Sequence, residues 1–525
     1  TVSNGTLFLS DGWIRNRGTE GAPVDIYYTP EGKDGLTDPS VQVAKVNIGP
    51  YSTYRLSDFV RGLFRVTSGS GHVEVRSKAL PQLSIRTTVD SLTRKGDSLA
   101  RYGAEIPSIR SAQGAGASAN GGASLHITGI SGGGSNPRFR TNVILAETSG
   151  KSASVNVKLY DRDGNVKGQT ARTILPYSKI QINNSGTLDL FPAGVSFDGG
   201  SLEIQPTSGE GRIAAFATVL DNVSQAYTTR TGRFVAESLS PPSPPASLVT
   251  LGVNQPSALE GAMPSRFVIP AAAHVIGIND SLFTTKLSVL NPTGGAAEIS
   301  LTYKPDTGPQ PDSKQVSIPG RSTLTLDDVV GNLFGLTNSA GMILLDGPGI
   351  RRILATSDTS ASLVPGDPSR GVSPSTLAAY APESPEAVGD ASAVGPSHPS
   401  ATVSHPAIEE SARFRSNLIL AEVYGKPVSI RVRLVPAGTG GVTLAEYRYD
   451  LLPFERKQFS KFIRQFTGNT SDAVQFVDIE TIVEWVSGEG RVIAVVTKID
   501  NDPSSKRTDI YVLGRTGEEQ GFIGF

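Results

Sequence analysis

The chain contains no cysteine. Disulfides, thiolate-held metals, iron–sulfur clusters and a cysteine nucleophile are therefore excluded from its chemistry. Methionine and tryptophan occur twice each in 525 residues. Charge is sparse: Asp, Glu, Lys and Arg make up 18%, and the formal net charge is −1. That balance leaves no electrostatic footprint for nucleic acid or an anionic membrane. No apolar run approaches the roughly 20 residues of a membrane-spanning helix. No Walker or Rossmann glycine fingerprint is present. The chain opens on Thr1 rather than methionine and reads as mature or trimmed, with an export signal already removed.

Apolar residues make up 38%, enough for cores, and 57 glycines and 35 prolines suit many short strands joined by turns. The strongest signal is a repeat. Arg138–Glu147 reads "RFRTNVILAE" and Arg413–Glu422 reads "RFRSNLILAE". Two weaker copies of Phe-x-Ser/Thr-x begin at Phe8 and Phe283. The phenylalanines Phe8, Phe139, Phe283 and Phe414 are 131, 144 and 131 residues apart (139 − 8, 283 − 139, 414 − 283). Each is followed by an apolar strand ("GWIRN", "NVILAE", "KLSVLN", "NLILAE"), a glycine-bearing turn and an alternating strand such as Ser154–Tyr160. Alternation marks a strand with one buried face, so Val155, Val157 and Leu159 are expected in a core with Asn156 and Lys158 outside. The four phenylalanines are expected in the cores, where Phe→Ala costs about 3–5 kcal/mol.

The repeats fall into two types. The first and third share "LSDFVRGLF" (56–64) and "LDDVVGNLF" (326–334), read as helical turns capped by Ser57 and Asp327 with Val60/Phe64 and Val330/Phe334 at i,i+4. The second and fourth share "SGEGRIAAFATVLDN" (208–222) and "SGEGRVIAVVTKIDN" (487–501), read as a hairpin turn and a buried strand. The expected division is all-β: sandwich A1 over 1–104, B1 over 105–237, a Pro-rich linker over 238–264, A2 over 265–367, B2 over 368–516 and an apolar tail over 517–525. Ile106-Pro107 and Ala381-Pro382 are read as the start of each B repeat's first strand. Ahead of A2 stands "RFVIPAAAHVIGI" (266–278), an opening strand whose residues Arg266–Val275 have no counterpart before Thr1. Either residues that once preceded Thr1 supply this strand, or an apolar groove is expected in A1, with the tail residues Phe522, Ile523 and Phe525 of another copy as candidates to fill it by strand addition.

Candidate chemistry is thin. Asp161, Asp163 and Asn165 begin like a calcium loop, but Arg172 stands where its glutamate would be, and Asp-Gly between two strands is equally a hairpin turn. No cofactor is implied. His72, His126, His274, His398 and His405 have no partner at the matching position of a sister repeat and read as loop histidines. Glu210/Arg212 and Glu489/Arg491 read as surface pairs, Trp13 and Trp485 as core, and Tyr51 with Tyr54 as the better sugar-stacking candidates. Asn183, Asn222, Asn279 and Asn469 stand in N-x-Ser/Thr triplets.

The phrases "RFRTNVILAE…VNVKLYDRDGNV…LP" and "FVIPAAAHVIG…LFTTKLSVLNPTGGAAEISLTY" resemble tandem immunoglobulin-like repeats in secreted proteins of environmental bacteria. The resemblance implies four tandem immunoglobulin-like β-sandwich domains in an A-B-A-B arrangement, exported to the cell surface or beyond. It implies display, adhesion or assembly and carries no catalytic residue across. The expectation is a non-enzymatic structural protein, a subunit of a surface layer, sheath or filament, with copies of itself or other cell-surface components as partners. The alternative is a monomeric adhesin or carbohydrate-binding protein, for which a glycan is the partner. Neither reading involves nucleic acid or membrane insertion.

Overall fold

The computed structural model describes residues 2–3, 6–95, 98–106, 108–109, 114–117, 122–133, 138–183, 190–192, 194–222, 227–235, 266–277, 282–362, 375–378, 380, 402–471, 473–500, 509–513 and 522–524. These residues form an all-β chain of antiparallel sheets. The strands fall into four consecutive sets. The first comprises β1 (Val2–Ser3), β2 (Thr6–Asn16), β3 (Ala22–Pro30), β4 (Gln42–Ile48), β5 (Thr53–Leu56), the helical turn α1 (Phe59–Gly62), β6 (Gly71–Arg76), β7 (Leu83–Lys95) and β8 (Ser98–Ile106). The second comprises β9 (Leu125–Gly133), β10 (Phe139–Glu147), β11 (Ala153–Tyr160), β12 (Val166–Ile174), β13 (Lys179–Asn183), β14 (Ser196–Gly209), β15 (Ile213–Asp221) and β16 (Tyr227–Thr231).

The third set comprises β17 (Arg266–Ile276), β18 (Leu282–Asn291), β19 (Ala297–Pro305), β20 (Lys314–Ile318), β21 (Ser322–Leu326), β22 (Ser339–Asp346), β23 (Leu354–Ser362) and β24 (Ser375–Ala378). The fourth comprises β25 (Thr402–Glu410), β26 (Phe414–Glu422), β27 (Val428–Pro436), β28 (Ala445–Leu451), β29 (Arg456–Ser460), α2 (Phe462–Thr467), β30 (Phe476–Gly488), β31 (Val492–Asp500) and β32 (Asp509–Leu513). One strand follows, β33 (Phe522–Gly524).

A single strand order recurs. The second set forms sheets β13-β10-β15-β16 and β12-β11-β14-β9, and the fourth forms β29-β26-β31-β32 and β28-β27-β30-β25. The first and third follow the same order, β5-β2-β7-β8 and β21-β18-β23-β24 in one layer, β4-β3-β6 and β20-β19-β22 in the other. Side chains of both layers meet in one apolar cluster per set.

Alternation decides which face is inside. Val155, Val157 and Leu159 of β11 are buried, while Asn156 and Lys158 are not, as the period of two predicts. Ile430, Val432 and Leu434 do the same in β27. Strands β10 and β26 behave differently: nearly every residue after the first is buried. Val143 and Leu145 enter their own core, whereas Ile144 joins the cluster of the first set; Ile419 likewise leaves its own core for a cluster with Val268, Met342 and Leu344. A strand buried on both faces reads as an unbroken apolar run, which accounts for "VILA" and "LILA".

Three expectations need correction. Phe8, Phe139, Phe283 and Phe414 are only half-buried. Phe139 and Phe414 each open their strand, and Phe139 packs at the margin of its core with part of the ring left open. Arg138 lies 5.1 Å over Phe139, and Arg413 (5.1 Å) and Lys498 (3.8 Å) lie over Phe414. The helical turns begin one residue later than expected, behind Asp58 and Asp328, both with positive φ; a third turn, α2, occurs in the fourth set. Ile106 does not open the second set: β8 pairs with β7 and extends the first set's sheet, across the expected boundary at 104/105. Backbone pairing to the nearest free edge outweighed the proline signal.

The expected opening strand of the third set is present as β17. It pairs with β22 over Arg266–Ile269 and, past a bulge, runs on to pair with β18. In the first set this one strand is replaced by two. β1 pairs with β2, and β33, from the far end of the chain, pairs with β6 as Phe522↔Glu74, Ile523↔Val73 and Gly524↔His72. The register is that of β17: Tyr28↔Val73 matches Tyr303↔Ile343, and Ile523↔Val73 matches Ile269↔Ile343.

The revised burial predicts an order of costs. Leu159→Ala, in a fully buried position, should destabilise by about 2–5 kcal/mol. Phe139→Ala should cost only about 1–2 kcal/mol, because roughly half of its transfer energy is at stake. Urea unfolding of the two variants measures both, and equal losses would refute the assignment.

Candidate functional site

The described residues place chemistry in three kinds of location: polar staples inside each set, seams between sets, and the edge that receives β33. The staples come first because they shape the rest. Eight residues after each repeated phenylalanine stands a buried polar residue: Asn16, Glu147, Asn291 and Glu422, each fully buried. The Glu147 carboxylate accepts from the backbone N–H groups of Ser149, Gly150, Tyr177 and Arg212, at 2.7–3.1 Å. Glu422 accepts from Tyr424, Gly425, Phe454 and Arg491, at 2.8–3.2 Å. One anion thus satisfies turns from three separate loops, and a charged acceptor is the strong form of such a bond. In the first and third sets an amide takes the place. Asn16 Nδ2 donates to the carbonyls of Glu20, Ile48 and Gly49, and Asn291 Nδ2 to those of Gly295, Ile318 and Pro319. Sequence reading missed these residues, although a polar side chain closing an apolar run at constant spacing was a visible signal.

Four seams join the sets in a circuit. Between the first and second, Lys179, fully buried, lies 3.5 Å from Glu31. Burial pushes the Lys179 ammonium down to about 8 against the pull of Glu31. At the corresponding seam of the third and fourth sets, Arg456 pairs with Asp306 and donates to the carbonyl of Pro270. Between the second and third, Arg230 grips Asp358 through two nitrogens at 2.6 and 2.8 Å. Between the fourth and first, Arg15 and Glu480, both almost fully buried, meet at 3.1 Å, and Ser84 and Ser404 share a hydrogen bond of 3.0 Å.

The seams absorb several candidate residues. Asp161, Asp163 and Asn165 form the β11–β12 turn. The Asp161 carboxylate accepts from the N–H groups of Asp163 and Asn165 and lies 2.7 Å from the Lys167 ammonium. The next carbonyl, of Arg162, accepts from Thr323 N across a seam. In the fourth set the equivalent turn meets Tyr51, whose carbonyl accepts from Gly438; a Cβ on Gly441 would stand 2.9 Å from the Tyr51 ring. Tyr51 is therefore engaged within the chain, and Tyr54 packs on the first core.

The histidines divide differently from expectation. His405 is buried in β25 and His72 in β6, rather than solvated; His274 Nδ1 lies 2.7 Å from Asp328. His398 and Asn279 lie outside the described residues. Trp485 packs against the fourth core, while Trp13 is half-buried under Arg86, 4.7 Å from its ring. Glu210 and Glu489 do not bind their neighbouring arginines but face Lys151 and Lys426 on the surface. Phe522 and Ile523 lie in β33; Phe525 is outside the described residues. Among the described residues no three His, Asp or Glu side chains converge as a metal site, and no helix is long and apolar enough to cross a membrane.

No protein-family model and no curated protein matches the chain. Among solved structures it is aligned with an α-L-rhamnosidase of Streptomyces avermitilis determined with L-rhamnose, at 10% identity and a TM-score of 0.14, over 92% of this chain and 55% of that one. The chain therefore spans little more than half the length of that enzyme, and so low a score carries no argument about either fold or activity.

Two outcomes are expected. Glu147→Gln keeps the shape but removes the charge and one acceptor oxygen, and should lower stability by about 1.5–3 kcal/mol; a neutral result in calorimetry would contradict the staple. Glu410 caps α2, accepting from the N–H groups of Ile463 and Arg464, yet burial pushes its carboxyl up to about 7 from an ordinary 4.5. Between those values the folded chain holds a proton that the unfolded chain has lost, so stability falls as pH rises from about 4.5 to 7. In Glu410→Gln that part of the fall in Tm should vanish.

Proposed function

We propose that the four strand sets are four immunoglobulin-like sandwiches in A-B-A-B order, and that the chain is an extracellular structural protein, a subunit of a surface layer, sheath or filament built from copies of itself. The A repeats are those with an asparagine staple, the B repeats those with a glutamate staple. The observation that supports the reading is the closed circuit of buried seams. Arg15–Glu480, Lys179–Glu31, Arg230–Asp358 and Arg456–Asp306 bind each sandwich to both neighbours. Breaking the buried Arg15–Glu480 pair by removing one partner costs about 3–5 kcal/mol, so the seams hold neighbouring sandwiches in one alignment. With these four charged pairs committed to internal seams, the outer surfaces and sheet edges are what the chain offers to a partner. No catalytic role is assigned.

Electron microscopy of native material, with sedimentation velocity of the purified chain, tests the reading. Regular polymers of one subunit are expected. Dispersed single particles that bind immobilised glycans would replace it with an adhesin.

A further inference from the structure

Every set's last strand is followed in sequence by the strand that opens the next set: β8 by β9, β16 by β17, β24 by β25. β9, β17 and β25 each pair with the same partner of their own set, β14, β22 and β30. β33 follows β32 in the same way, and its partner is the equivalent strand β6 of the first set. It therefore holds the place of an opening strand for whatever first set lies next to the fourth. In this structure that is the first set of its own chain.

Among the described residues, β33 pairs with β6 alone, whereas β17 pairs with both β22 and β18. The surface it meets is also polar. The residues paired with Phe522 and Gly524 are Glu74 and His72, both buried, where β22 offers Leu344 and Met342. Burial holds the His72 imidazole neutral, down to about 3, and raises the Glu74 carboxyl in spite of Arg76 at 2.5 Å. Both groups border the second set, His72 beside Ser178 and Lys179 and Glu74 near Glu147, where the third set presents Met342 and Leu344 to the fourth. Eight residues, 514–521, tether β33 to β32.

We propose that β33 is exchanged between copies: the strand of one chain pairs with β6 of the next, and the fourth set of the donor repeats its seam with the acceptor's first set, Arg15 against Glu480 included. The partner is thus a second copy of this chain, contacted head to tail. A heterologous contact of this kind propagates into an open polymer unless its rotation closes. Pairing within one chain is favoured in dilute solution by the high effective concentration of a tethered strand, and pairing between chains when copies are crowded. The proposal deepens the structural reading and rests on it only for the purpose of the polymer.

The cysteine-free chain suits a direct test. Val73→Cys and Ile523→Cys are made as separate variants of the full chain, mixed at rising concentration and joined by a short bis-maleimide. A covalent dimer holding one copy of each variant is expected, and it should be suppressed by an excess of unlabelled Gln520–Phe525 peptide, which competes for β6. A chain lacking residues 518–525, made without any cysteine, leaves β6 intact and should bind a labelled Gln520–Phe525 peptide, a check that does not depend on cysteine at Val73. If the double variant gives only an internal cross-link and the mixture no dimer at any concentration, exchange is refuted. If native polymers form but the tail deletion leaves them unchanged, strand exchange falls while the structural role stands. If the mixed dimer forms but native material is never polymeric, exchange stands and the structural role falls.

Discussion

Four backbone N–H groups on one buried carboxylate hold each glutamate-bearing set together. Glu147 and Glu422, themselves fully buried, lie at the end of a strand whose both faces are covered, and their oxygens meet backbone N–H groups of the adjoining turns. Those turns need partners, since a buried unpaired amide costs about 1–3 kcal/mol. The carboxylate supplies them and so ties the loop after its own strand to the loops before β13 and β15, or before β29 and β31. The amides of Asn16 and Asn291 serve both kinds of group, donating to carbonyls through Nδ2 and accepting through Oδ1 from the N–H groups of Gly18 and Thr293. One position therefore pins its turns with either a carboxylate or an amide.

With its turns pinned, each sheet presents a flat apolar back to its neighbour. Ile144 and Phe216 of the second set, and Ile419 and Val495 of the fourth, face outward from their own cores and are buried by the preceding set. Around these apolar contacts the charged pairs fix register. An isolated buried charge is intolerable in a low-dielectric seam, so Arg15 or Arg230 accepts only the alignment that presents Glu480 or Asp358. The seams thus combine apolar adhesion with charged keys. The first-to-second seam is the weaker of its type: His72 and Glu74 stand where the other half has Met342 and Leu344, and a lysine replaces the bidentate-capable Arg456. That difference coincides with the edge at which the chain's last strand meets its first set.

Much of this was legible in the order of residues, for identifiable reasons. The fourfold recurrence survives because each copy must bury the same strands. The period of two in β11 and β27 is imposed by the pleat itself, so Val155, Val157 and Leu159 could be placed inside from their spacing. The conspicuous phenylalanines misled because repetition marks a shared position, and at Phe139 and Phe414 that position is the start of a strand, where an arginine lies over a ring that is only partly buried. Ile106-Pro107 misled because a proline signals a break in the chain without saying which sheet the preceding strand extends.

The sequence by itself determined the class of secondary structure and the faces of the alternating strands, since these depend on neighbours two or a few residues away. Only the tertiary structure decided which polar residues become staples, which turns become seams, and where the last strand lies. Arg15 and Glu480 are 465 residues apart, and Ile523 lies 450 beyond Val73 (523 − 73). Such pairs are selected by the packing of whole sheets, and no local pattern in the chain encodes which distant edge stands free to receive them.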